Sequence, residues 1–396
     1  MNIQILKDEL NKHLTEDILP FWMELKDDEY GGFYGEVSAD GSTDRHADKG
    51  CILNSRILWT FSNCFLRYGS KEYLKTADIA YRQLKDTFAD TEFGGVYWSV
   101  TYDGKPLDTV KHTYNQAFAI YGLCAYYEAT GDEKALDHAL GLYKIIESRC
   151  RDDIGYLEAF DREWKPAGND KLSENGVEAY RTMNTLLHIY EAYTELYRVT
   201  NGRYAKAELE FIVRLVTDSI YNEKEHRLDV FFDREYKSII DLQSYGHDIE
   251  ASWLMEKGLD VLAGSGGSDT DAVKKLRTIL SDLTATVYDR AYKDGLLYNE
   301  CENGVTDTGH IWWAQAESMI GFMNGYKHTA KQEYLDAVFS IWNSLKDRYI
   351  VHLNGHNGGE WYWGILKDGT IDTEDPVAGI WKCPYHNSRM CLELTS

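Results

Sequence analysis

Two kinds of helical pattern alternate along the chain. Residues 70–88 place Leu74, Ala77 and Tyr81 at three- and four-residue spacing among charged side chains, which predicts an amphipathic helix with one wet face. Residues 114–129 carry almost no charge on any face, which is typical of a helix enclosed by others. Further apolar helices are predicted to begin near residues 51, 181, 247, 310 and 384, and amphipathic ones at 3–25 and 133–148 and near 203, 270 and 331.

A short aromatic stretch with a turn signal recurs between the predicted helices. Alternating apolar residues around a glycine or an Asp-Gly turn predict a β-hairpin. The six copies lie at 31–41, 94–104, 155–162, 228–233, 295–304 and 358–369. A regular recurrence of this kind indicates a repeat architecture. The chain therefore consists of an outer helix, a hairpin and an inner helix, repeated six times.

The last predicted helix decides between an open and a closed arrangement. An open solenoid needs polar helices that cap both of its ends, and residues 390–394 are too apolar for such a cap. We therefore predict an all-α fold, an (α/α)6 barrel formed by one domain over residues 1–396, with the hairpins and the inner-helix N-termini at the active-site end. The glycine-rich stretch 264–268 is predicted to be a flexible turn at the other end.

Composition narrows the choice of partners. A net charge of −23 disfavours nucleic acid and anionic membrane surfaces. No apolar run approaches the ~20 residues of a membrane span, and residues 1–9 lack a signal-peptide core. Seven cysteines without a CxxC spacing suit reduced thiols. We expect a cytoplasmic monomer that binds neither nucleic acid nor membrane.

Two histidines stand at the starts of predicted inner helices. His247 and Glu250 are three residues apart and share a helix face, and a carboxylate beside an imidazole raises its basicity, as a general base requires. The alternative is a solvated acidic first turn. A metal site is less favoured because a His-x-x-Glu pair supplies only half of one, and we predict no metal. His386 follows Pro384, a residue that suits the start of a helix.

A third histidine and an arginine lie on apolar helices. His188 shares a face with Asn184, four residues earlier, and a buried structural histidine is an equally good interpretation of His188 alone. Arg56 is a permanent charge within an apolar helix. Because such a charge is costly to bury, either a carboxylate neutralises it or it faces a ligand oxygen.

Aromatic residues are predicted to gather around these polar groups. Trp313 and Glu317 are four residues apart on one face. Aromatic side chains are expected at or near the same rim: Tyr114, Trp253, Trp313, Trp361 and Trp381. Flat aromatic faces with scattered polar groups suit a sugar-binding cleft. A glycosidase needs paired carboxylates, whereas an isomerase or epimerase needs a base and a cation that stabilises an enediolate. Paired histidines with an arginine favour the second class.

Six ordered motifs over the whole chain resemble those of the N-acylglucosamine 2-epimerase superfamily. The motifs are Asn54-Ser55-Arg56, His112-Thr113-Tyr114-Asn115-Gln116, Met183-Asn184-Thr185 with His188, His247-Asp248 with Glu250, Trp312-Trp313-Ala314-Gln315-Ala316-Glu317, and Trp381-Lys382-Cys383-Pro384-Tyr385-His386. The resemblance implies cofactor-free, reversible epimerisation at C2 of the reducing-end glucose of a β-1,4-linked disaccharide, which converts cellobiose to glucosyl-mannose and lactose to epilactose.

The resemblance also implies a role for each candidate residue. His247 and His386 correspond to an acid/base pair, Glu250 to the group that orients His247, and Arg56 and His188 to groups that stabilise the enediolate. Sugar contacts are expected from Tyr114, Asn184, Trp253, Trp313, Glu317 and Trp381. The alternatives are an aldose–ketose isomerase acting on a monosaccharide such as mannose, an N-acylglucosamine 2-epimerase, and a non-catalytic member that binds a sugar or a protein.

Overall fold

The structure is mostly helical, with short strands between the helices. It is a computed structural model that describes residues 2–169, 171–172, 175–264 and 270–396. Residues 265–268 of the predicted glycine-rich turn therefore lie outside the described residues. The helices are α1 Ile3–His13, α2 Leu19–Glu24, α3 Cys51–Tyr68, α4 Lys71–Gln83, α5 Thr113–Thr130, α6 Glu133–Ile145, α7 Met183–Val199, α8 Lys206–Leu215, α9 Tyr245–Gly264, α10 Asp271–Ala291, α11 Trp312–Thr329, α12 Gln332–Arg348 and α13 His386–Thr395.

The helices agree with the predicted pattern, apart from the irregular turns that follow several outer helices. Helix α4 continues into a π-helical turn at Leu84–Phe88, so that helical structure covers most of the predicted span 70–88. Similar π turns follow α1, α6 and α8, at Leu14–Ile18, Ile146–Cys150 and Val216–Ile220. The apolar pattern of 114–129 becomes α5, whose residues from Thr113 to Tyr126 are all buried. The enclosed position predicted for this helix is therefore confirmed.

The six apolar helices pack side by side in chain order. Helix α3 packs against α5, α5 against α7, α7 against α9, α9 against α11, and α11 against α13. Each of the first five also packs against the outer helix that follows it, and α1 packs against α13. Burial of the apolar faces between the two sets of helices forms one continuous core.

The strands are short and form small antiparallel sheets. They are β1 Glu36–Val37, β2 Thr43–Asp44, β3 Lys49–Gly50, β4 Ser99–Val100, β5 Pro106–Asp108, β6 Lys111–His112, β7 Ala159–Phe160, β8 Arg181–Thr182, β9 Tyr221–Asn222, β10 Arg227–Leu228, β11 Phe231–Phe232, β12 Leu242–Ser244, β13 Tyr292–Lys293, β14 Leu296–Leu297, β15 Glu300–Glu302, β16 Val305–Asp307, β17 His310–Ile311, β18 Ile350–Val351, β19 Glu360–Trp361 and β20 Gly364–Ile365. Paired strands or bridges occur in all six predicted hairpin segments.

The strand pairings connect each repeat to the next one. The strands that lead directly into inner helices, β3, β6, β8, β12 and β17, pair with β4, β7, β11, β15 and β20 of the following repeat. Between the last repeat and the first, Val37 bridges to Ala378, and Thr60 on α3 donates to the carbonyl of Pro384 at 2.5 Å. The sixth repeat thus contacts the first, and the N-termini of the inner helices meet at one end of the molecule. None of the described helices is long and apolar enough to cross a membrane.

Buried ion pairs fix the start of the inner helix in the first three repeats. A cation just before the helix reaches the aspartate that opens the preceding hairpin segment. The pairs are Lys49 with Asp27 at 2.6 Å, Lys111 with Asp90 at 2.9 Å, and Arg181 with Asp152 at 2.5 Å. The two lysine pairs are almost completely enclosed, so that removal of either aspartate would leave a lysine charge in the core without its anionic partner.

Candidate active site

The inner-helix N-termini surround a cleft with a volume of about 270 Å³. Most of the residues singled out in the sequence line this cleft: Arg56, Tyr114, Asn184, His188, His247, Glu250, Trp313, Trp381 and His386. They come from six different inner helices or from the segments next to them. Chain-order packing of those helices therefore brings together residues that are far apart in the sequence.

His247 lies in the first turn of α9 and faces the cleft. Its Nδ1 is 2.7 Å from Ser244 Oγ, and its ring packs against Trp313 with centroids 4.7 Å apart. Burial lowers the pKa of His247 to about 4, although the charge of Glu250 acts in the opposite direction. The imidazole is therefore neutral near pH 7, and Nε2 has no partner among the described residues.

Glu250 forms no hydrogen bond with His247 in the described part of the chain. Its Oε1 accepts instead from Arg389, and its Oε2 has no partner among the described residues. Ser244, at the end of β12, holds His247 because the strand ends directly beside the first turn of α9. Glu250 thus presents an unengaged carboxylate oxygen in the wall of the cleft.

His386 is the first residue of α13 and is held by a carboxylate. Its Nδ1 is 2.6 Å from Glu317 Oε1, while its ring lies 5.6 Å from that of Trp313. Burial, reinforced by the charges of Arg56 and Arg389, keeps the pKa of His386 well below its ordinary value. Both His247 and His386 are therefore neutral imidazoles beside one tryptophan.

Glu317 and Trp253 are not in the wall of the cleft, contrary to the expectation that both contact the sugar. The indole Nε1 of Trp253 donates to Glu317 Oε2 at 3.0 Å, and both side chains are almost fully buried. They lie behind His386 because their positions on α9 and α11 face the neighbouring helices. Burial raises the pKa of Glu317 to about 8, against the opposing charge of Arg389.

His188 is also held by a carboxylate. Its Nδ1 is 2.8 Å from Glu191 Oε2, one helical turn further along α7. Its ring contacts Tyr114 edge-on, with centroids 5.2 Å apart, and lies 4.7 Å from that of Phe118. Burial acts to raise the pKa of Glu191, but Arg389 and His188 outweigh it and lower this pKa to about 2. The carboxylate behind His188 is therefore ionised.

Arg56 reaches the cleft without a carboxylate partner among the described residues. Its Nη2 donates to the Tyr114 hydroxyl at 2.8 Å and its Nη1 to the Trp381 carbonyl at 3.4 Å. The guanidinium also lies over the rings of Phe118 and Tyr385, at 4.2 and 4.7 Å from their centroids. Only neutral groups hold this cation, so its charge is available to a bound anion.

Arg389 provides the positive charge beneath the histidines. Ligand atoms of Glu250, Glu317 and His386 lie within 4.8 Å of one another, a donor set of the size that a metal ion needs. The guanidinium of Arg389, however, donates to both carboxylates, at 2.7 Å for Glu317. The positive charge at this position is therefore already supplied by the chain.

Aromatic rings extend the cleft beyond the histidines. Trp381 packs with its ring centroid 5.5 Å from that of Trp98 and 6.0 Å from that of Tyr114, and Trp363 from the last repeat also lines the cleft. Trp361, expected near the rim, is instead fully buried and donates to His13. The remaining tryptophans provide flat surfaces of the kind that sugar rings contact.

Sequence reasoning missed the groups that hold the histidines. Glu191 had a usable signal, since it stands three residues after His188 and shares its helix face. Ser244 precedes its helix, and the contact of Glu317 with His386 joins two different helices. No spacing along the chain encodes those two contacts.

Neutral imidazoles, a cation without an anionic partner among the described residues, and aromatic walls are grouped at the N-termini of the inner helices, an arrangement that suits acid–base chemistry on a sugar-like substrate. The chain belongs to the N-acylglucosamine 2-epimerase family, whose model matches residues 32–388. It is 48% identical to the cellobiose 2-epimerase of Eubacterium cellulosolvens, over 97% of this chain and 96% of that one. It is 44% identical to the cellobiose 2-epimerase of Ruminococcus albus, over 98% of this chain and 97% of that one. The solved cellobiose 2-epimerase of Bacillus thermoamylovorans B4167 superposes with a TM-score of 0.93 at 42% identity, covering 99% of both chains.

Proposed function

We propose that this protein reversibly inverts C2 of the reducing-end glucose of β-1,4-linked disaccharides. Cellobiose would give glucosyl-mannose, and lactose would give epilactose. The observation that carries the proposal is the pair His247 and His386: two neutral imidazoles line one cleft, and each is held at Nδ1 so that Nε2 is left for a substrate. The relatives that match over nearly the whole chain support the choice of substrate.

The chemistry begins with the open-chain sugar, because the C2 proton is acidic only beside the C1 aldehyde. His386 is proposed to assist the opening of the ring. One imidazole then removes the C2 proton, and the electron pair moves towards C1 and its oxygen to form an enediolate. The other imidazole must first take up a proton from solvent; as the imidazolium it then donates that proton to the opposite face of the now planar C2, and the first imidazole returns its proton to solvent. Two bases on opposite faces are the simplest arrangement that inverts this centre.

The enediolate oxygens need donors, and Arg56 and His188 are proposed to supply them. Arg56 is held by neutral groups alone, and His188 is backed by an ionised carboxylate. Donors that are already in place stabilise developing charge without reorganising. The substrate itself is proposed to contact Tyr114, Asn184, Trp313 and Trp381, with Trp381 stacking on the non-reducing ring.

The fold proposed for this site is an (α/α)6 barrel over a single domain. Chain-order packing of the six inner helices, the strand pairing from each repeat to the next, and the bridge between Val37 and Ala378 support it. In such a barrel each repeat contributes one inner-helix N-terminus to the cleft. The six ends are alike in backbone and differ in side chain, and this difference creates the acid–base site.

The test is incubation with cellobiose and identification of the product by NMR. Glucosyl-mannose is the expected product. A ketose would instead indicate an aldose–ketose isomerase, and free glucose a glycosidase. Unchanged cellobiose and lactose would contradict the proposal. The variants His247→Gln and His386→Gln serve as controls: each removes one base and is expected to keep the helical fold, which circular dichroism checks.

A further inference from the structure

One guanidinium contacts the carboxylates that lie behind the cleft. Arg389 Nη1 donates to Glu191 Oε1 at 2.5 Å, and Nη2 donates to Glu317 Oε1 at 2.7 Å and to Glu250 Oε1. Arg389 is fully buried and is absent from the wall of the cleft. It therefore acts through these three carboxylates and does not touch a substrate.

Each of the three carboxylates faces a different histidine. Glu191 holds His188 Nδ1 at 2.8 Å, and Glu317 holds His386 Nδ1 at 2.6 Å. The charge of Glu250 acts on His247, whose pKa it raises against the effect of burial. A single side chain thus links the hydrogen-bond partners of His188 and His386 to the carboxylate whose charge acts on His247. The three histidines come from α7, α13 and α9.

The geometry requires an arginine rather than a lysine. A guanidinium has two terminal nitrogens in one plane and can serve carboxylates on both sides, whereas an ammonium is a single point. The plane of Arg389 is fixed between aromatic rings, 4.2 Å from the centroid of Tyr385 and 4.8 Å from that of Trp253. Packing against these two rings therefore orients the guanidinium so that its nitrogens point towards Glu191 on one side and Glu317 on the other.

The charges around Arg389 are mostly negative. Its neighbours with titratable groups are Glu191 from α7, Glu250 from α9, Glu317 from α11, and Tyr385 and His386 from its own segment. Further out, Lys257 is paired with Glu393 at 2.5 Å. His386 also faces Arg56, His188 and His247. Among the described residues, Glu250 and Glu317 form ion pairs with no other lysine or arginine.

We propose that Arg389 is a positioning residue that holds the carboxyl groups of Glu191, Glu250 and Glu317 in place behind the cleft, and that its positive charge disfavours protonation of Glu317 and His386. The turnover part of its test rests on the proposed function. Removal of a positive charge favours the protonated form of every neighbouring acid and base. The acid limb of the pH profile for kcat should therefore move to higher pH when Arg389 is replaced.

The test compares Arg389→Met with the wild type in the epimerisation of cellobiose between pH 4 and pH 9. We expect the acid limb of the kcat profile to move to higher pH by about one unit or more. At a given pH on that limb, kcat should therefore fall about tenfold or more. Activity should recover as the pH is raised, and KM should change little, because Arg389 does not touch the substrate. A uniform loss at every pH, or an unchanged profile, would overturn the proposal.

Lys49→Met is the matched control, since it also removes a buried cation from a carboxylate but lies away from the cleft. It should lower thermal stability and leave the pH profile unchanged. If Arg389→Met does not fold, Arg389→Lys takes its place. It keeps a charge but cannot reach Glu191 and Glu317 together, so a smaller shift in the same direction is expected, and no shift would count against the proposal.

An NMR titration without substrate separates this inference from the proposed function. The imidazole signals of His386 are followed with pH in the wild type, in the Arg389 variant and in Lys49→Met. The titration should move to higher pH in the Arg389 variant alone. If cellobiose is not turned over but this shift appears, the proposed function fails and the role of Arg389 stands. If turnover occurs and no shift appears, the role of Arg389 fails.

Discussion

Replacement of Arg56 by methionine tests whether the cation in the cleft serves catalysis or folding. Arg56 is 3% exposed, and its guanidinium is held by the Tyr114 hydroxyl, the Trp381 carbonyl and two aromatic rings, none of them anionic. A buried charge without an anionic partner is costly for folding. We therefore expect Arg56→Met to fold with a thermal stability equal to or above that of the wild type.

The effect on catalysis follows from Coulomb's law. An enediolate oxygen hydrogen-bonded to Arg56 would lie about 4 Å from the centre of its charge, which gives about 4 kcal/mol at an effective dielectric constant of about 20. Because about 1.4 kcal/mol corresponds to a factor of ten in rate, kcat should fall about 10²- to 10³-fold. KM should change much less, since the charge on the substrate oxygen appears only during the reaction.

The assay measures initial rates of glucosyl-mannose formation by NMR, together with thermal unfolding. Arg67→Met is the matched control, because Arg67 lies on the same helix but is exposed and donates to the Thr395 carbonyl at the far end. The control should retain the wild-type kcat. A kcat of Arg56→Met within tenfold of the wild type would refute the reasoning, as would a large loss of stability.

Further predictions concern the bases and the core. His247→Ala and His386→Ala should each abolish turnover while circular dichroism still shows the helical fold; appreciable turnover in either would refute its role. Because burial lowers the pKa of His247 to about 4, its base form persists into mildly acidic solution, and the acid limb of kcat/KM should not reflect an ordinary imidazole. Ser244→Ala removes the 2.7 Å contact at Nδ1 and should lower kcat by about tenfold, with Ser244→Thr restoring it. Asp27→Asn leaves Lys49 buried without its anionic partner, which should cost about 3–5 kcal/mol of unfolding free energy at unchanged kcat. Since the pKa of Asp27 is lowered in the fold, the wild-type pair should stabilise fully above the ordinary aspartate pKa of 3.8 and weaken as the pH falls through the lowered pKa.

The repeat could be predicted from the sequence because it rests on local patterns. The apolar run at 114–129 and the amphipathic run at 70–88 each encode burial directly in side-chain spacing, and both elements appear where expected. The π turns, such as Leu84–Phe88, were not predicted. Their residues continue the helical pattern, and the irregularity is visible only in the backbone.

The sequence predicted which residues line the candidate site, but not which side chains hydrogen-bond to each other there. Arg56, His247 and His386 all reach the cleft. Because it is costly to bury a polar side chain among apolar neighbours, a polar residue near the start of an enclosed helix tends to face the cleft. The partners of the histidines come from other helices or from strand ends, and the packing of those elements decides which carboxylate meets which imidazole. Hence Glu317 meets His386, while Glu250 turns towards Arg389.

The central claim is that two imidazoles act on opposite faces of C2, and early labelling in heavy water tests it most directly. Cellobiose is incubated with the enzyme in D2O, and both sugars are examined by NMR during the first few per cent of turnover. With one base on each face, the glucosyl-mannose formed should carry deuterium at C2, while the remaining cellobiose keeps its hydrogen. Product that retains the original hydrogen at C2, or cellobiose that gains deuterium as fast as product forms, would contradict the account.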